Sequence, residues 1–270
     1  MGWSAAERRA FGYASAVVVV VLVARSAIAT LALSRAVELA LDSIASALVM
    51  ALAAAALGSF AREPLRDRLG LGASGVAPGR VALGALGLVA LSHAAEGVVE
   101  LAGFSTAGLV RFDDALAGLS FDQLLLPLGA LALASAIGEE LFFRGLLQRG
   151  LERRIGTVPA IVLASLAFGA AHDDWTHGAA AAVLGSYLGV IAARTGSIRP
   201  AIVAHAVNNA VAVIEKVSQL QLPGGPIATP IEIAVGVALA GVALAGVRPR
   251  PKPADALQLP DECTDEPGDA

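Results

Sequence analysis

Long, almost uncharged apolar blocks follow one another along most of this chain, and they limit what it can fold into more than any other feature. They run approximately over residues 11–33, 37–60, 81–103, 124–148, 158–174, 178–194, 198–216 and 227–247. An apolar block of about 18 residues or more is long enough to cross a bilayer as a helix. In lipid the backbone must satisfy its own hydrogen bonds, which selects helices or closed barrels. Blocks of this length predict an all-α, polytopic transmembrane bundle of about eight spans. Composition agrees: 56% of residues are hydrophobic and 16% charged, against roughly 25% charged in a soluble domain. Ala, Gly, Val and Leu dominate, and small residues let membrane helices approach closely.

Arg8, Arg9 and Phe11 have the spacing of a twin-arginine signal. The first block is long, however, and a second follows at once, so an uncleaved first span is expected rather than a removed signal. Lys and Arg concentrate in cytoplasmic loops. With the N-terminus inside, the inner segments hold Arg8 and Arg9; Arg62, Arg66, Arg68 and Arg80; Arg149, Arg153 and Arg154; Arg194 and Arg199; and Arg248, Arg250 and Lys252. The outer segments hold Arg35, Arg111 and Lys216, while Arg25 and Arg144 fall within spans. This asymmetry predicts an even span count with both termini cytoplasmic, in a cell-membrane protein. Residues 1–247 form one transmembrane domain. Residues 248–270 alternate Pro with Asp and Glu and predict a disordered cytoplasmic tail. The single cysteine, Cys263, lies in that tail and cannot form an internal disulfide. A net charge of −4 argues against a nucleic-acid partner, leaving the bilayer and membrane-associated polypeptides.

An ionisable residue inside a span costs several kcal/mol and is a functional-site hypothesis by default. Three pairs at i, i+4 spacing stand out: Glu140 with Arg144, Phe168 with His172, and His205 with Asn209. That spacing places both members of a pair on one helix face. Glu139 sits about 100° around the helix from Glu140. Counted from an inner turn near Ile155 and Gly156, Glu139, Glu140 and His172 lie roughly 22–26 Å deep at about 1.5 Å per residue. Counted from a turn near Ser197, His205 and Asn209 lie roughly 12–18 Å deep. The three pairs can therefore share one intramembrane pocket.

A carboxylate and an imidazole together can bind a water and take its proton. A second imidazole and an amide can stabilise an oxyanion developing on a carbonyl. Arg144 can balance one of two adjacent acids, which will not both stay ionised unaided in a low dielectric. No serine or cysteine nucleophile is apparent. The set reads as hydrolysis of an amide by activated water.

The strings Glu139-Glu140-Leu141-Phe142-Phe143-Arg144, Phe168-Gly169-Ala170-Ala171-His172 and His205-Ala206-Val207-Asn208-Asn209 resemble the EExxxR, FxxxH and HxxxN motifs of the CPBP family. That family comprises the CAAX-prenyl endopeptidases and bacteriocin-processing intramembrane proteases, also called Abi proteins. The order, the spacing and the stretch from Arg194 to Pro200 match as well, over about residues 136–213. The resemblance implies an eight-helix, glutamate-dependent protease. It implies that Glu139 and His172 activate the water, that His205 and Asn209 stabilise the oxyanion, and that Glu140 and Arg144 position the site. The implied substrate is a membrane-associated protein or peptide, CAAX-prenylated proteins being one class.

Other readings stand beside this one. Two His and one or two Glu can complete a zinc site with an open water position, although no HExxH string is present and the resemblance favours catalysis without a cofactor. The same fold could serve as a non-proteolytic bacteriocin-immunity or scaffold protein, or as a transporter relaying protons. His93, Glu96 and Glu100 share a helix face and are expected to form a polar face toward the bundle. Asp42 and Arg25 are expected to pair, and Asp173, Asp174, Trp175 and His177 to cap an outer loop.

Overall fold

The computed structural model describes Val23 and residues 34–60, 63–104, 107–172, 174–218 and 230–247. Among these residues the protein is helical throughout. The helices are α1 (Arg35–Gly58), α2 (Leu65–Arg68), α3 (Pro78–Leu101), α4 (Ala107–Leu116), α5 (Phe121–Ile155), α6 (Thr157–Ala170), α7 (Trp175–Thr195), α8 (Arg199–Ser218) and α9 (Pro230–Gly246). The expected first span, the Asp42–Arg25 pairing, Asp173 and the tail with Cys263 involve residues outside the described ones.

The expected helical membrane bundle is what the chain forms. Among the described residues four helices, α1, α3, α5 and α7, are long and apolar enough to cross a bilayer. Three further expected spans fold as helices of a different kind. The apolar helices α6 and α9 are shorter. The 20-residue α8 carries His205, Asn208, Asn209, Glu215 and Lys216, which lower its hydropathy. At about 1.5 Å per residue, the 14 residues of α6 fall well short of a hydrocarbon core of about 30 Å. The helices α2 and α4 were not foreseen as elements.

Exposed apolar side chains stud the outer faces, among them Leu52, Leu86, Leu133, Val158, Leu166 and Val242. In water such a surface would aggregate, whereas lipid solvates it. The interior is built from small residues and a few large ones. Leu88 on α3, Leu188 and Ile191 on α7, Ala201 and Ala204 on α8 and Ala240 on α9 form the main core. A second cluster joins Phe143 on α5, Phe168 on α6 and Ala181 on α7.

The turns sort to two ends, as the charge pattern predicts. Helix α5 stops at Gly156, with φ of 84°, and α7 stops at Gly196, with φ of 64°. This left-handed backbone favours glycine. At the same end, Arg149 donates to the carbonyls of Asp67, Arg68 and Gly196. Ile198 N–H donates to Gly70 O at 3.0 Å, and Ser197 Oγ to Gly72 O at 2.7 Å. The basic loop between α1 and α3 is therefore folded onto the α7–α8 turn. Glu63 in that loop meets Arg68 and Arg153. The Arg68 hydrogen bond, reinforced by Arg153, holds its carboxyl below the usual carboxylate range. The opposite end carries the Arg35–Asp114 and Lys216–Asp113 pairs.

Candidate active site

Helix α5 positions both glutamates, and it does so with uneven winding. Leu128–Ala134 and Leu141–Gln148 are wound as π-helix, bracketing the α-helical Ser135–Glu140. Wide turns of this kind often mark functional sites. They turn carbonyls away from the regular ladder, and here neighbouring helices supply donors. Ser43 Oγ donates to Ala130 O at 3.2 Å, and Asn209 Nδ2 to Leu131 O at 3.2 Å.

Glu140 is fully buried. Its Oε1 accepts from Arg144 Nη1 at 2.7 Å and lies 2.9 Å from His205 Nδ1. Arg144, also buried, donates through Nη2 to Gly185 O at 3.0 Å. Its guanidinium carbon sits 4.5 Å from the centre of the Phe168 ring, a cation–π distance. The pair is thus buried, hydrogen-bonded and capped by an aromatic face, as a charge pair in low dielectric must be.

Glu139 is different. Its side chain is 20% exposed. Ser135 Oγ donates to Oε1 at 2.7 Å, while Oε2 lies 3.7 Å from His205 Nε2. His205 therefore spans the two acids, Nδ1 on Glu140 and Nε2 toward Glu139. With Glu140 a carboxylate, Nδ1 carries a proton, and Nε2 faces the partly open side of the site.

The structure thus brings Glu139, Glu140, Arg144 and His205 into direct contact. His172 joins them through Phe168, whose ring meets His172 at 5.0 Å and His205 at 5.9 Å. One expectation is corrected here. His172 does not share a helix face with Phe168, because α6 ends at Ala170 and His172 lies just beyond its cap. Its Nδ1 instead bonds Phe168 O at 2.9 Å, a carbonyl at the helix end that also accepts from Ala171 N–H at 3.2 Å. Asn209 lies on the face of α8 turned to α5, with its amide engaged on Leu131 O.

Sequence reasoning passes over Ser135 and Gln148, although each has a signal: an i, i+4 spacing from Glu139 and from Arg144. Gln148 is buried and donates to Gly189 O at 3.0 Å. His177, placed by sequence in a loop cap, lies on α7 with its ring 4.7 Å from that of His172. Asp174 is the cap, accepting from the backbone N–H groups of Thr176 and His177. Of the expected polar face of α3, His93 turns to α8, with Nε2 3.2 Å from Glu215 Oε1, whereas Glu96 and Glu100 are exposed. Among the described residues no three His, Cys, Asp or Glu side chains converge as a metal-ligand group.

No curated protein and no solved structure matches the chain. Residues 121–211 match the family model described as Rce1-like, type II CAAX prenyl endopeptidase Rce1-like. The matched stretch runs from the start of α5 into α8 and contains every residue of the three motifs. The segment that builds this cluster of acids, arginine and imidazoles, about a third of the chain, is similar to the Rce1-like family of type II CAAX prenyl endopeptidases.

Proposed function

We propose that this protein is a multi-pass intramembrane endopeptidase of the cell membrane that hydrolyses a peptide bond in a membrane-associated protein or peptide, CAAX-prenylated chains being its first candidate substrates. The observation that carries this reading is the asymmetry of the two glutamates. Glu140 is sealed and held by Arg144 and His205, whereas Glu139 is partly open and keeps Oε2 free of any bond shorter than the 3.7 Å approach to His205. A buried carboxylate that holds an arginine and an imidazole on one oxygen positions its neighbours. An accessible one beside an imidazole can receive a proton.

In the proposed reaction Glu139 Oε2, assisted by His172, takes a proton from water as the hydroxide oxygen bonds the scissile carbonyl carbon. The carbonyl oxygen becomes an oxyanion, stabilised by His205 Nε2–H when the ring carries both protons and by Asn209 as the substrate displaces its amide from Leu131 O. Collapse breaks the C–N bond, and the proton held by Glu139 passes to the departing amine. Glu140 and Arg144 hold His205 through this cycle.

The test uses the full chain in lipid nanodiscs with fluorogenic peptides, prenylated and unprenylated, and compares Glu139→Ala and His172→Ala. The rate should fall about 10²–10⁴-fold in each, the range for loss of a general base. Full activity in both variants would sink the assignment. Ser135→Ala tests the orientation of Glu139 separately. A hydrogen bond to a charged group contributes about 1.5–3 kcal/mol, so kcat should fall roughly ten- to a hundred-fold while the helix content stays unchanged by circular dichroism.

A further inference from the structure

Glu140 and Arg144 continue along α5 into a ladder that the proposed mechanism does not use. Arg144 Nη2 bonds Gly185 O at 3.0 Å, and one turn on, Gln148 Nε2 bonds Gly189 O at 3.0 Å. The same four-residue step is taken on both helices, so these are successive rungs between α5 and α7. The Gln148 carboxamide also donates to Glu152 Oε1 at 2.9 Å, which carries the ladder toward the inner end of α5.

Both rungs end on glycines, and the spacing explains why. A Cβ at position 185 would lie 3.0 Å from Arg144 Nη2 and 3.1 Å from Phe168 Cδ1. A Cβ at position 189 would lie 2.7 Å from Gln148 Oε1 and 3.1 Å from Ile161. Only bare backbone lets a side chain from α5 reach a carbonyl already inside the α7 helix. Gln148 is also the last residue of the π-wound stretch that starts just after Glu140. That stretch has Arg144 in its interior and Gln148 at its far end. The Gln148 rung closes it against α7.

We propose that Gln148 is a positioning residue for the candidate site: its bond to Gly189 O sets the register of α5 on α7 at which Arg144 reaches Glu140 and Gly185 O together. Glu140 in turn carries His205. The inference rests on the protease reading of that same site. An apolar side chain of equal volume would fill the space but leave the register unset, so a packing role and a positioning role give different kinetics.

The experiment uses the full chain in nanodiscs with a peptide that the wild type cleaves, well below each variant's unfolding temperature. Gln148→Met and Gly189→Ala remove the rung from opposite sides. Each should lower kcat about ten-fold with KM unchanged, and the double variant should fall no further than either single one, since neighbours sharing one interaction are not additive. Unchanged kcat in Gln148→Met, or losses that multiply in the double variant, would overturn the proposal. If the wild type cleaves none of the peptides, the protease reading fails, and the rung is judged by thermal unfolding of the same four proteins. Overlapping destabilisations then uphold the register contact, and additive ones overturn it.

Discussion

Arg144→Met should destabilise the protein by about 3–5 kcal/mol, the range for removing one partner of a buried ion pair. The magnitude follows from what is left behind. Glu140 is fully buried, and its Oε1 has Arg144 and His205 as partners. Without the guanidinium a carboxylate stays in a low-dielectric interior with one imidazole to balance it. Gly185 O loses its second donor, and the Phe168 ring loses the cation stacked on it. Adding Glu140→Gln to Arg144→Met should recover a large part of the loss, because a neutral amide has no unpaired charge. Denaturant titration of the four proteins in one detergent checks this as a double-mutant cycle. A single variant within about 1 kcal/mol of wild type would show that the pair contributes little, as exposed pairs do.

Gly138→Ala should damage both the fold and the proposed activity, although it adds one methyl group. A Cβ at position 138 would lie 2.5 Å from both the Cα and the carbonyl oxygen of Ala47 on α1. Ordinary carbon contacts are about 3.5–4.0 Å, so α1 and α5 must separate by roughly 1 Å. Overpacking of this kind costs about 1–3 kcal/mol. Glu139 is the next residue, and a misplacement of about 1 Å at a reacting group can cost about 10²-fold in rate. Because the clash is with the Ala47 backbone, Ala47→Gly should not rescue it. Peptide cleavage and thermal unfolding of Gly138→Ala, alone and with Ala47→Gly, measure the two effects. Wild-type kcat in Gly138→Ala would show that the α1–α5 contact does not govern where Glu139 stands.

The bundle and its motif residues were legible because they rest on local rules. Apolar blocks set the helices, and the turns at Gly156 and Gly196 fall where the depth count puts them. The segregation of Arg and Lys anticipated the two ends of the bundle. His172 marks where this reasoning stops. Periodicity extends α6 through it, but nothing local reveals that the helix ends at Ala170 and that the ring turns back to Phe168 O. The π-wound stretches of α5 were equally hidden. Apolar residues look the same in either winding, and the donors from Ser43 and Asn209 that bond its turned-out carbonyls come from other helices.

By itself the sequence determined that the chain is a helical membrane protein and that Glu139, Glu140, Arg144, His172, His205 and Asn209 are its improbable residues. Burying charge in an apolar span is costly wherever it occurs, so that inference needs no coordinates. Only the tertiary structure decided which acid is which. Glu139 and Glu140 are adjacent and chemically alike, yet one points into Arg144 and His205 and the other toward Ser135 and the open side. That difference arises from the approach of α6, α7 and α8 to one face of α5, where glycines at 185 and 189 leave room for Arg144 and Gln148 to bond backbone.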